Sequence, residues 1–153
     1  MTRVANTGSA GAPPAAGLVL TATLVGVATL ADYVGWLGWD QTKHLGPDGF
    51  LHGPYEPWQV VGVVLVLGVI AAAAGLRRQP WVAVVVTTLV MTVCFSVQGA
   101  TDPLNDGLWP IGAFMVAAGT CAGVALVALL APVVVAKWGL ARGKSAGPAP
   151  WGP

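Results

Sequence analysis

Five side chains able to hold a metal ion recur at four-residue intervals: Asp40, His44, Asp48, His52 and Glu56. Imidazoles and carboxylates are the ligands of Zn²⁺ and other divalent ions, so a loop gathering His44, His52 and Asp48 would make a metal site. On an unbroken helix the same spacing would form a stripe. The steps Gly46-Pro47, Gly53-Pro54 and Glu56-Pro57 forbid that helix, because proline lacks an N–H and clashes with the preceding turn. No compact His-x-x-x-His pair is present, and a loop is where polar residues collect in any case. The expectation is no resident metal and no cofactor, with His44, His52 and Asp48 as the candidate ligands if one exists.

Asp32 is the ionisable side chain that falls inside an apolar run. A bilayer penalises carboxylates, so those within it mark functional positions. Asp32 lies one turn before Trp36, about 6 Å from the interface. Two roles are open to it: a step on a transport path, or a structural polar clasp. Gln98 and Ser96 are its candidate partners, with Lys43 as a countercharge. Thr87, Thr88, Thr92 and Thr120 either line such a path or bond carbonyls of their own helix. Cys94 and Cys121 differ in depth by about 10 Å, too far for a disulfide, and read as small packing residues. No Cys-x-x-Cys, nucleotide loop, activated nucleophile or carboxylate pair occurs. The chain is therefore expected not to be an enzyme.

The elements that position these residues follow from composition. Of 153 residues, 56% are hydrophobic and 8% charged, and the mean hydropathy is +0.74. A soluble domain carries about 25% charged residues. Such a surface belongs in lipid, which excludes soluble enzyme folds. The net charge of +1 excludes a nucleic-acid footprint.

Apolar runs at about 15–37, 59–76, 81–98 and 109–132 predict four spans. About 20 helical residues cross a hydrocarbon core of about 30 Å. The runs are rich in valine, yet lipid leaves unpaired backbone groups so costly that helix prevails. The fold class is all-α: a four-helix transmembrane bundle with a long outer loop between helices 1 and 2. Residues 1–14 and 139–153 read as disordered tails around a single domain, 15–138. Pro132 reads as the cytoplasmic end of span four.

Charge orients the chain. Arg3, Arg77, Arg78, Lys137, Arg142 and Lys144 share one side, and all six acids share the other with Lys43 alone. Cytoplasmic loops carry the Lys/Arg excess, so both termini are expected in the cytoplasm. Tryptophans at the span ends (Trp36, Trp39, Trp58, Trp81, Trp109 and Trp138) fit an interfacial belt. In the alternative reading Leu18–Leu30 is the core of a signal peptide cleaved after Ala31. The apolar run continues past Ala31, which disfavours that reading.

Small residues mark helix packing. Gly119-x-x-x-Gly123 lies in span four, Ala22-x-x-x-Gly26 in span one and Ala71-x-x-x-Gly75 in span two. Such spacing lets backbones approach in lipid. It serves either the bundle itself or, through helix 4, a homo-oligomer or a membrane-protein partner. Each outer loop also ends on an acid followed by Trp and a new span, a faint echo of two helical hairpins.

The stretch Gly53-Pro54-Tyr55-Glu56-Pro57-Trp58-Gln59-Val60-Val61-Gly62 resembles one found in small, uncharacterised four-span membrane proteins of actinobacteria. That resemblance implies a bacterial plasma membrane and carries no activity. The expected function is that of a non-enzymatic accessory or interaction subunit. The alternative is a small transporter or channel-forming oligomer using Asp32 and Gln98.

Overall fold

The computed structural model describes residues 15–39, 44–45, 51–52, 55–103 and 107–145. Four helices dominate: α1 (Ala15–Leu37), α2 (Pro57–Leu76), α3 (Pro80–Thr101) and α4 (Trp109–Ser145). Each is long and apolar enough to cross a membrane. Between α1 and α2, β1 (His44–Leu45) and β2 (Leu51–His52) form a two-residue antiparallel ladder. The chain is an all-α four-helix bundle of a multi-pass membrane protein. Val69, Phe114 and Met115 stand about 70% exposed, at 69%, 74% and 69%. Water would penalise that surface and lipid does not.

Local chemistry sets the helix starts. Pro57 and Pro80 open α2 and α3 at positions where a missing N–H costs nothing. The Glu56 N–H donates to Gln59 Oε1 at 2.7 Å, satisfying a backbone donor at the start of α2. The α2–α3 turn is a Schellman motif: Gln79 N–H reaches the Ala74 carbonyl and Arg78 N–H the Gly75 carbonyl. Arg78 occupies the left-handed position at φ 58°, which glycine usually fills.

The helices sit on a rhombus. Each of α1 and α4 packs on both α2 and α3, and α2 touches α3 across the short diagonal. Among the described residues α1 and α4 do not meet. Below, the "turn end" is the end of the bundle with the α2–α3 turn, and the "hairpin end" is the other, where the α1–α2 and α3–α4 connections lie.

The last helix is longer than expected. α4 is continuous through Pro132 to Ser145, so 139–145 is helix rather than disordered tail. Proline at 132 cannot donate to the carbonyl four residues earlier, that of Ala128. A Cβ built on Gly75 would lie 2.1 Å from this same oxygen. Glycine lets the α2 backbone press on the freed carbonyl, where a Cα–H group is a weak donor. The defect in α4 thus has a partner across the interface, and the helix need not stop there. The 37 residues of α4 make a rod of about 55 Å, longer than a hydrocarbon core of about 30 Å.

The core has two parts. At the turn end Ala71 and Ala74 of α2, Ala83 of α3, and Val124 and Ala128 of α4 are buried together. Toward the hairpin end Tyr33, Leu37, Val63, Leu67 and Met91 form a second cluster.

Candidate functional site

The buried polar groups begin on one face of α1. Val25, Thr29 and Asp32 are buried at helical spacing, and Trp36 continues the stripe. Thr29 meets Thr87 of α3, both fully buried, with their hydroxyl oxygens 3.4 Å apart. The Trp36 ring lies over Gly62 of α2, where a Cβ would fall 2.7 Å from it, and meets Trp58 edge-on at 5.9 Å. Asp32 sits between these two contacts, in the seam of α1 with α2 and α3. It is 6% exposed, and neither carboxylate oxygen has a hydrogen-bond partner among the described residues. An unpaired polar group at this depth is costly.

One residue further along α1 the polar chemistry is satisfied. The Tyr33 hydroxyl donates to Gln98 Oε1 of α3, and the Tyr55 hydroxyl, from just before α2, donates to the same oxygen. Two phenols thus converge on one carbonyl-type acceptor. Burial pushes the Tyr55 hydroxyl above the ordinary phenol range. It therefore stays a proton donor at neutral pH.

Beside this cluster lies a cavity of about 530 Å³. Tyr33, Tyr55 and Thr120 are among its lining residues, with Leu67, Met91, Phe95 and Val116 among the apolar ones. Val64 of α2 and Met115 of α4 stand exposed on its rim, so it opens sideways between those helices. Gly119 and Gly123 also line it, and a Cβ on either would meet nothing within 4 Å. Among the described residues no charged side chain lines it.

The candidate residues distribute as follows. Asp32 is buried, as its place in an apolar run implied, but Gln98 does not bond it; two tyrosines hold Gln98 instead. Ser96 is half-buried on α3, two residues before Gln98. Gly26 packs against Val86 at 3.4 Å, whereas Gly119 and Gly123 border open space. Half-buried Ala22 is one turn before Gly26. His44 and His52 are partners across the ladder, and Asp48 lies outside the described residues. Among the described residues no three His, Cys, Asp or Glu side chains come together. Cys94 and Cys121 are free.

Sequence reasoning missed Tyr33 and Tyr55 as a pair. A signal was present: the chain has two tyrosines, and four antiparallel spans place both at the same end as Gln98. A buried phenol needs a hydrogen-bond partner, and Gln98 is the amide at that level. Comparison of the chain with family models, curated proteins and solved structures finds no match.

Proposed function

We propose that this protein is a non-enzymatic accessory or interaction subunit of a bacterial plasma membrane, with both termini in the cytoplasm. The observation that carries this reading is how much of α4 its own bundle leaves uncovered. Only 11% of its most apolar window is buried, against 39% for α2. The outward face of α4 includes the small residues Ala118 and Ala122, both exposed. In lipid, close helix approach is driven by packing, and small residues at four-residue spacing permit it. The segregation of Lys and Arg supports the orientation. The test is native mass spectrometry of the tagged protein, gently extracted from its own membrane. A complex with another membrane protein, lost in Ala118→Ile/Ala122→Ile, is the expected result. A monomer alone overturns the reading.

Asp32 favours a second reading, a small transporter or channel-forming oligomer. Its two unpartnered oxygens would suit a site that carries a proton or a monovalent cation. Proteoliposomes loaded with a pH-sensitive dye measure this under an imposed potassium gradient. Flux that disappears in Asp32→Asn supports transport, and equal flux in that variant rejects it.

A further inference from the structure

The polar cluster at Tyr33, Tyr55 and Gln98 and the cavity beside it form one unit. The two phenols show where an oxygen acceptor is welcome, because both already donate to one. The cavity below them is apolar and elongated. Its wall on α2 runs from Val60 to Gly68 and on α4 from Met115 to Val127, about 12 and 18 Å of helix. Its volume of about 530 Å³ lies within the range of small-molecule sites, about 300–1,000 Å³. It opens toward the surface that lipid covers, so an occupant arrives from the bilayer.

The lining restricts the occupant further. The described residues of the wall include no charged side chain, so they offer a phosphate or carboxylate head no partner, and burial penalises an unpaired charge. The head is therefore neutral and bears an acceptor oxygen. Tyr33, Tyr55 and Phe95 supply rings and Met91 a thioether, surfaces that favour a flat, conjugated group. Gly119 and Gly123 leave the slot open beside α4, where larger residues would fill it.

We propose that the cavity between α2 and α4 binds an isoprenoid quinone, its ring carbonyl at Tyr33 and Tyr55 and its tail along Gly119 and Gly123. The inference rests on the cavity and is independent of any partner on the Ala118–Ala122 face. A carbonyl of the ring takes over from Gln98 Oε1 as acceptor for one or both hydroxyls, or accepts from the Gln98 amide nitrogen. No electron transfer is involved.

The experiment is a titration of the full chain in lipid nanodiscs with ubiquinone-2, read by quenching of intrinsic fluorescence. Parallel titrations use oleate and dioleoylglycerol, and circular dichroism checks each variant. Wild-type protein is expected to show saturable quenching by the quinone alone. Tyr33→Phe/Tyr55→Phe keeps the rings and removes the donors, so affinity falls about tenfold or more. Gly119→Phe fills the slot and abolishes saturation; if that variant does not fold, Gly123→Phe takes its place. Absence of saturation in the wild type overturns the proposal. So does unchanged affinity in both the phenol and the filling variants, or equal competition by oleate or dioleoylglycerol.

Discussion

The two ends of the bundle solve the same packing problem in opposite ways. At the turn end α2 and α4 touch through their backbones: Ala71, Ala74 and Gly75 face Val124 and Ala128, and the Gly75 backbone rests on the Ala128 carbonyl. Toward the hairpin end the same two helices are held apart by Tyr33, Leu67, Met91 and Phe95, and a cavity of about 530 Å³ lies between them. The same kind of residue has opposite effects in the two places. Gly75 brings two helices together, while Gly119 and Gly123 leave space that nothing in the bundle fills. In lipid a small residue permits contact but does not compel it, because no hydrophobic force joins the helices. The partner's register decides.

The sharpest test of that contrast is Gly75→Val. The first carbon of the new side chain would fall 2.1 Å from the Ala128 oxygen, with the backbones on both sides already in contact. A flexible side chain could yield, but a helix backbone does not. The expected cost is about 3 kcal/mol or more, the upper end for overpacking. It reads out as a large drop in melting temperature in detergent. A variant as stable as wild type would mean that the two backbones do not meet there.

Asp32 provides the next largest effect, with the opposite sign. A buried carboxylate with no partner among the described residues destabilises the fold that holds it. Asp32→Leu, of similar size, should raise stability by about 1–3 kcal/mol. A fall in melting temperature would instead reveal a donor that reaches the carboxylate. Stabilisation combined with loss of cation flux would mark Asp32 as a residue kept for function at the expense of the fold.

The bundle itself was legible because lipid leaves the backbone few choices. Apolar runs of sufficient length, ended by Trp, Gly and Pro, had to be helices, and α1 occupies the residues expected of it, Ala15–Leu37. The extension of α4 past Pro132 was not legible. A proline inside a helix frees a carbonyl that a neighbouring helix can receive, and that neighbour, Gly75, is 57 positions from Pro132 in the chain. The site was legible in part. Asp32 drew attention through its charge, whereas Tyr33 and Tyr55 did not, since a tyrosine near a span end also serves as an interfacial anchor. Only the packing of α1 beside α3 distinguishes an anchor from a donor aimed at Gln98. The open face of Gly119 and Gly123 was likewise invisible, because small-residue spacing looks the same whether or not a helix lies against it.

A smaller effect belongs to the turn that closes the tight end. Arg78 holds a left-handed backbone at φ 58°, a conformation that costs a residue with a side chain about 1 kcal/mol. Arg78→Gly removes that cost while leaving Arg77 as a positive charge in the turn. A small rise in melting temperature, with reporter fusions placing both termini on the same side as in the wild type, is the expected outcome. Loss of that orientation would show that the second arginine is retained for topology.

The smallest expected effect completes the comparison. Gly119→Ala adds the same atom that Gly75→Val adds first, but into space where nothing lies within 4 Å. Alanine also favours helix over glycine by about 1 kcal/mol in an exposed position. Stability should therefore hold or rise slightly, even though Gly119 and Gly123 carry the more conspicuous packing motif of the two helices. A clear loss of stability in detergent would mean that another helix lies against α4 at this position, and a second copy of the chain would be the candidate. Chemical cross-linking of Gly119→Cys would then capture it. If stability holds, the glycines serve the open cavity, and the difference between the two ends of the bundle stands.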